Sequence, residues 1–157
     1  MSKTITVKKG SIIEHKGTFN SHIYKVESGL LRSYIIDDKG KEHIFLFAPE
    51  GWIIADSQDF GLPSEVYIDA LEDSVLTVIK KGGEMVTSTP NLLLKRVSVL
   101  QKRVLMLLSS SAIERYEDFV TTYPKIVQRV PQKMIASYLG ITPEALSKVK
   151  GERSSQK

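Results

Sequence analysis

The chain has 157 residues, a formal net charge of +4 and no cysteine, a length that buries one good core and a small second one. Without cysteine, disulfides, thiolate metal sites and cysteine-ligated iron–sulfur clusters are excluded. No apolar run is long enough to span a bilayer and no signal-peptide pattern opens the chain, so a cytoplasmic protein with no membrane partner is expected.

The charge is unevenly placed. Residues 1–88 hold ten Lys/Arg against thirteen Asp/Glu, whereas residues 89–112 hold Lys95, Arg96, Lys102 and Arg103 with no acid. From residue 113 on, eight basic residues stand against five acidic ones. Positive charge thus collects on the part of the chain that would meet phosphate. A solvated surface gives the same bias by chance, so the bias needs a motif beside it.

From residue 4 to about 81 the chain shows short β-branched and aromatic runs separated by turn residues. Residues 4–7, 10–13, 22–26, 30–36, 43–47, 52–54, 66–68 and 75–79 read as strands. Lys9-Gly10, Ser28-Gly29, Asp37-Asp38-Lys39-Gly40, Pro49-Glu50-Gly51 and Lys81-Gly82-Gly83 punctuate them, and the Asp37 to Gly40 segment is the clearest hairpin. Regular short strands of this kind predict an antiparallel barrel or roll.

After Pro90 the period changes. Leu93, Val97, Leu100, Val104, Leu107 and Ser111 recur at alternating steps of four and three, the a/d spacing of a coiled-coil seam. Leu94, Leu105, Leu108 and Ala112 form a second apolar line, more than a helix covering a single surface needs. One face against the roll and one against a twin subunit is the simplest use, although a core helix in a monomer has the same spacing. Residues 114–129 continue helical with Tyr116, Phe119, Val120, Tyr123, Ile126 and Val127 on one face, and Pro124 should split them into two shorter helices.

Gln132 to Gly151 then reads as a helix-turn-helix. Two short helices that cross tightly need a small residue at the contact, and Ala136 supplies it. Gly140 follows where the chain must turn, commonly in a left-handed conformation. Ile135, Leu139, Ile141, Leu146 and Val149 supply the small core. Thr142 can cap the second helix, Pro143 suits its first turn, and Pro131 starts the first helix in the same way. The tail from Gly151 to Lys157 is polar and expected to fray. An ordinary helical hairpin would need only the apolar spacing; the small residue, the glycine and the Thr-Pro start together point to DNA binding.

The order of roll, long helix and C-terminal helix-turn-helix carries a family resemblance. With Gly29-Leu-Leu-Arg-Ser-Tyr, Gly40-Lys-Glu, Pro49-Glu-Gly-Trp, Arg115-Tyr and the run from Arg129 to Glu144, the chain resembles the bacterial Crp/Fnr transcription regulators over nearly its whole length. The resemblance implies an α+β fold. An N-terminal antiparallel β-roll (a double-stranded β-helix or jelly roll, cyclic-nucleotide-binding-like) would span 1–88. A dimerisation helix would span 89–112, and a helix-turn-helix domain 113–157 with its motif at 132–151. It further implies a homodimer on double-stranded DNA with a palindromic operator, and leaves room for RNA polymerase as a further partner. Leu93, Val97, Leu100, Val104, Leu107 and Ser111 would form the dimer interface.

In family members that bind cyclic nucleotides, a Gly-Glu pair and a later Arg-Ser pair hold the phosphate, which needs a guanidinium and backbone amides. The matching segment here runs from Ile54-Ala55-Asp56 to Leu62-Pro63-Ser64-Glu65, and no arginine occurs between Arg32 and Lys80. Cyclic AMP is therefore not expected as the effector, no cofactor is expected, and any small-molecule effector would be a different one, with Trp52, Asp56 and Ser64 as candidate contacts. The family also usually has a helix before its first strand and often a β-hairpin wing after the recognition helix. Neither is expected from this sequence.

By the same resemblance the second helix, Thr142 to about Glu152, lies in the major groove and belongs to the DNA contact from Thr142 onward. Glu144 and Lys148 match base-reading positions, where a glutamate accepts from cytosine and a lysine donates to guanine. Gln132, Lys133, Ser147, Lys150 and Arg153 suit phosphate contacts. Pro143 stands where the family is often basic. An enzyme on a β-roll is the first rival reading, but His15, His22 and His43 form no His-x-His pair and no catalytic or metal site is expected. The second rival is a ligand-sensing or protein-interaction module whose helix-turn-helix does not bind DNA.

Overall fold

The computed structural model describes residues 2–19, 22–56, 61–81 and 90–156, apart from the side chain of Leu92. The strands are β1 (Lys3–Val7), β2 (Ile12–Glu14), β3 (His22–Ser28), β4 (Leu31–Ile36), β5 (Glu42–Ala48), β6 (Ile53–Ile54), β7 (Tyr67–Ala70) and β8 (Ser74–Lys80). The helices are α1 (Pro90–Ser109), α2 (Ala112–Thr122), α3 (Gln132–Leu139) and α4 (Pro143–Ser155), with a 3-10 turn at Ile126–Gln128 before α3. The architecture is mixed α+β, an antiparallel roll of two sheets ahead of C-terminal helices. Residues 1–92 and 93–157 form two compact units. The boundary expected at 88/89 and the Gly82-Gly83 turn lie outside the described residues. No helix among the described residues is long and apolar enough to cross a membrane.

One sheet of the roll has the order β1-β8-β3-β6 and the other β2-β7-β4-β5, with every pairing antiparallel. Alternation along each strand sends one set of side chains between the sheets. Tyr24, Val26, Leu31, Leu46, Ala48, Ile54, Ile68, Ala70 and Leu76 form this core, with Trp52 partly buried against it. The register slips at Val26/Ser28 in β3 and again opposite Ser33/Tyr34, where Phe45 is the additional residue of β5. At Gly29, φ is +94° and an added Cβ would lie 2.1 Å from Ser74 Oγ, so only glycine fits the turn into β4. The hairpin at Asp37 forms as expected: its carboxylate accepts from the Lys39 and Lys41 amides at 3.0 and 2.9 Å.

Behind the core-facing row, β4 and β7 hold a buried ionic cluster. Arg32, 6% exposed, donates through Nε and Nη2 to the two Asp69 oxygens at 2.9 Å each. Its Nη1 donates to Glu42 at 2.6 Å, and the guanidinium stacks 4.1 Å over the Tyr34 ring. Burial works against the Arg32 charge, but its hydrogen bonds to Asp69 and Glu42 outweigh it and hold the group above its ordinary pKa.

In the helical part the structure corrects three expectations. Ser111 is not on the long helix, which ends at Ser109. Instead it caps α2 in a reciprocal box with Glu114, because a hydroxyl there satisfies amides that the new helix leaves open. Along α1 the seam residues Leu93, Val97, Val104 and Leu107 are exposed, as are Leu94, Leu105 and Leu108 beside them, whereas Leu100 is half-buried. Met106 is buried, and Arg103 binds α3. Pro131 is the N-cap of α3 rather than a residue of its first turn. The tail does not fray at Gly151: α4 runs to Ser155, with the Ser154 and Ser155 hydroxyls donating to the Lys150 and Gly151 carbonyls. The break near Pro124 falls where expected, α2 stopping at Thr122 because the residue before a proline is driven out of the helical region.

Candidate nucleic-acid interface

Helices α3 and α4 are joined by Gly140, Ile141 and Thr142. Gly140 takes the left-handed conformation, φ +66° and ψ +32°. Its amide donates to the Ser137 carbonyl at 3.2 Å and that of Ile141 to Ala136 at 3.1 Å, the pair of bonds that closes a helix at a left-handed glycine. Thr142 restarts the chain: its Oγ1 accepts from the Ala145 amide at 3.1 Å, with Pro143 in the first turn. Ala136 is 1% exposed, and Ile135, Tyr138, Leu139, Leu146 and Val149 are buried with it.

Two arginines fasten the pair to the neighbouring helices, a role that neither the charge distribution nor the Arg115-Tyr segment points to. The Arg103 side chain on α1 donates to the Tyr138 carbonyl at 2.8 Å and lies 4.0 Å over the Tyr138 ring. Burial lowers the Arg103 guanidinium below its ordinary pKa and pushes the Tyr138 phenol up. Arg115 on α2 donates to the carbonyls of Ser110, Leu139 and Leu107 at 3.1, 3.1 and 3.0 Å. It thereby satisfies helix-end acceptors of both α1 and α3. Phe119, Tyr123 and Tyr138 pack around them with ring centroids 5.4–5.7 Å apart. The signal available in the sequence was an arginine placed at a helix end, although which carbonyl it would meet is a tertiary fact.

On α4 the buried positions Leu146 and Val149 leave Glu144, Ser147 and Lys148 together on the exposed face. Gln132 and Lys133 are exposed at the start of α3, and Thr142 is exposed although its hydroxyl oxygen serves as a cap. Lys150 is half-buried beside Tyr116, Arg153 and Ser154, which line a shallow cleft of about 130 Å³. Arg153 Nε lies 2.7 Å from Glu117 and its guanidinium is 5.7 Å from the Tyr116 ring centre. The structure thus groups Glu144, Ser147 and Lys148 and draws Arg153 back toward α2.

Residues 4–83, just over half of the chain, match the family model described as the cyclic nucleotide-binding domain. The chain belongs to the cyclic nucleotide-binding domain family. The fold is shared more widely along the chain. FixK2 from Bradyrhizobium japonicum superposes with a TM-score of 0.82 at 18% identity, covering 99% of this chain and 86% of that one. A CRP/FNR-family transcriptional regulator from Thermus thermophilus gives 0.80 at 18% identity, covering 98% and 87%. One from Eubacterium rectale, described as a putative transcriptional regulator of the crp/fnr family, gives 0.70 at 23% identity, covering 99% and 79%. By sequence, no curated protein matches the chain.

Within the family's span, the three candidate effector residues have distinct places. Trp52 packs on the roll core. Asp56 and Ser64 are buried and face each other, Ser64 Oγ lying 2.8 Å from an Asp56 oxygen. The histidines fall in separate places: His15 edge-on to Tyr67, His22 beside Tyr24, and His43 Nε2 2.8 Å from Asp37. Among the described residues no group of His, Asp or Glu is arranged to hold a metal ion.

Proposed function

We propose that this chain is a DNA-binding transcription regulator of the Crp/Fnr type, a homodimer that reads a palindromic operator through α4. The observation that carries the reading is the face of Glu144, Ser147 and Lys148 on a helix whose opposite side, Leu146 and Val149, is buried. A helix held in this way can enter the major groove, with Glu144 accepting from cytosine and Lys148 donating to guanine. Gln132, Lys133, Ser147 and Lys150 would contact phosphate, which fixes orientation without reading sequence. Arg153 leaves Glu117 if it joins them.

The divisions of labour follow the expected ones, with residues 1–88 as the roll, 89–112 as the dimerisation helix and 113–157 as the DNA-binding part. The dimer contact uses the seam of Leu93, Val97, Leu100, Val104, Leu107 and Ser111, beside which Leu94, Leu105 and Leu108 are exposed, an apolar stripe that two copies can bury against each other. Two recognition helices would then sit roughly 34 Å apart, one turn of duplex. Cyclic AMP is not the effector. The sole arginine of residues 1–88 is Arg32, and it is engaged by Asp69 and Glu42.

Selection of bound duplexes from a random pool, at a protein concentration that supports dimers, tests the reading. Enrichment of a palindrome with half-sites one turn apart is expected, with affinity falling steeply as salt rises. A pool that enriches no palindrome at low salt ends it.

A further inference from the structure

The loop leading into β7 presents several hydrogen-bond donors to one point. The Ser64 hydroxyl lies 2.8 Å, the Glu65 amide 2.5 Å and the Val66 amide 3.2 Å from the same oxygen, Oδ2 of Asp56. Successive amides aimed at one point form an anion cradle. The Ser64 hydroxyl is also 2.9 Å from the Val66 carbonyl and 3.4 Å from the Val66 amide, so one rotor serves both the cradle and its own turn. The loop is fixed from its other side as well. Gly17 donates to the Ser64 carbonyl at 2.7 Å and Ser64 donates to the Thr18 carbonyl at 2.9 Å.

A carboxylate only 6% exposed, as Asp56 is, requires such donors, because a buried charge without them is very costly. An incoming phosphate would find the donors engaged and a negative charge at the point where its own would sit. No arginine of the roll is left to offset that repulsion, since Arg32 is bound to Asp69 and Glu42. We propose that the Asp56 carboxylate is the resident anion of this cradle: the loop is held in its filled arrangement by the chain itself and takes no phosphate or carboxylate ligand from solution. This rests on the reading of the roll as a domain that does not bind cyclic AMP, and it supplies the physical reason for it.

Chemical rescue in the full chain tests the proposal. In the wild type, inorganic phosphate and cyclic AMP leave the Glu65 and Val66 amide resonances and the melting temperature unmoved. Asp56→Ala empties the cradle and lowers the melting temperature. Acetate or phosphate at tens of millimolar then restores at least half of the loss, because an anion that binds only the folded chain stabilises it. Chloride at matched ionic strength does not. Asp56→Asn keeps an accepting oxygen without the charge and melts between the two. Rescue fails to appear if Asp56 is only a structural clamp, and that result overturns the proposal, as do wild-type amides that shift with phosphate. Should Asp56→Ala not fold even with anion present, Asp56→Asn decides: a melting temperature equal to wild type shows that charge is irrelevant and overturns it, while a lowered one supports it. None of these measurements involves a duplex, so a failure of DNA binding leaves them intact.

Discussion

In the β-roll, Arg32 faces Asp69 and Glu42, and Asp56 faces the donors of its own loop. In the helical unit, Arg103 and Arg115 turn inward onto backbone carbonyls while Glu144 and Lys148 stand outward on α4. Arg32, Asp69 and Asp56 are thus answered by side chains or loop donors of the roll, and their removal should be read in stability. Glu144 and Lys148 stand on the exposed face of α4 and should be read in binding. A single net charge of +4 conceals this division completely.

The largest expected effect tests the closed half. Asp69→Ala takes both acceptors from Arg32 Nε and Nη2 and leaves a buried guanidinium with Glu42 alone, which should cost about 3 kcal/mol. Urea unfolding reads it as a lower midpoint with unchanged slope. A loss below half of that would mean Arg32 is hydrated in the roll, and the contrast between the units would weaken.

Next is Arg103→Ala, the inward charge of the helical unit. It loses a charged hydrogen bond and a stack on Tyr138, together about 2 kcal/mol. Amide exchange at Tyr138 and Leu139 should accelerate, since α3 loses a carbonyl partner there. Protection equal to wild type would show that α1 does not fasten α3 through this residue.

Lys148→Ala tests the open half. Specific duplex binding should weaken by about 1–3 kcal/mol with relaxed discrimination at one operator position. Unfolding stability should stay within about 0.5 kcal/mol of wild type, as for surface changes away from structural features. An equal loss on every duplex would move Lys148 from base reading to phosphate contact, and a loss of stability would break the contrast itself.

Much of this was legible in the sequence because local chemistry decided it. Gly29, Gly140 and the Thr142-Pro143 start each answer to backbone geometry within a few residues, and so do the strands of the roll. What escaped is decided by distant partners. Ser111 fits a heptad by spacing alone, but its hydroxyl has a nearer use at the Glu114 amide. The pairing of Arg153 with Glu117, thirty-six positions earlier, is of the same kind and leaves no local signal. Asp56 was singled out by its resemblance to a ligand position, whereas its actual partners are fixed by how the loop folds back.

The smallest effect concerns the joint between α1 and α2. Glu114 Oε2 accepts from the Ser111 amide at 2.7 Å and from its hydroxyl at 2.8 Å, and these bonds hold the Glu114 carboxyl below its ordinary value of 4.5. A carboxyl lowered in the folded state contributes stability that is complete above the unfolded pKa and is lost as pH falls through the folded one. The contribution is therefore flat between pH 7 and about 5.5 and disappears on the acid side of 4.5. Ser111→Ala removes the cap oxygen and the hydroxyl donor together, at about 1 kcal/mol near neutrality. Because the Ser111 amide remains, part of the Glu114 shift should survive. Stability curves of the two proteins should accordingly run parallel above pH 5.5 and draw together below it. Curves that stay parallel throughout would show that the cap hydroxyl stabilises the joint without the Glu114 carboxylate, whose shift then rests on the Ser111 amide alone.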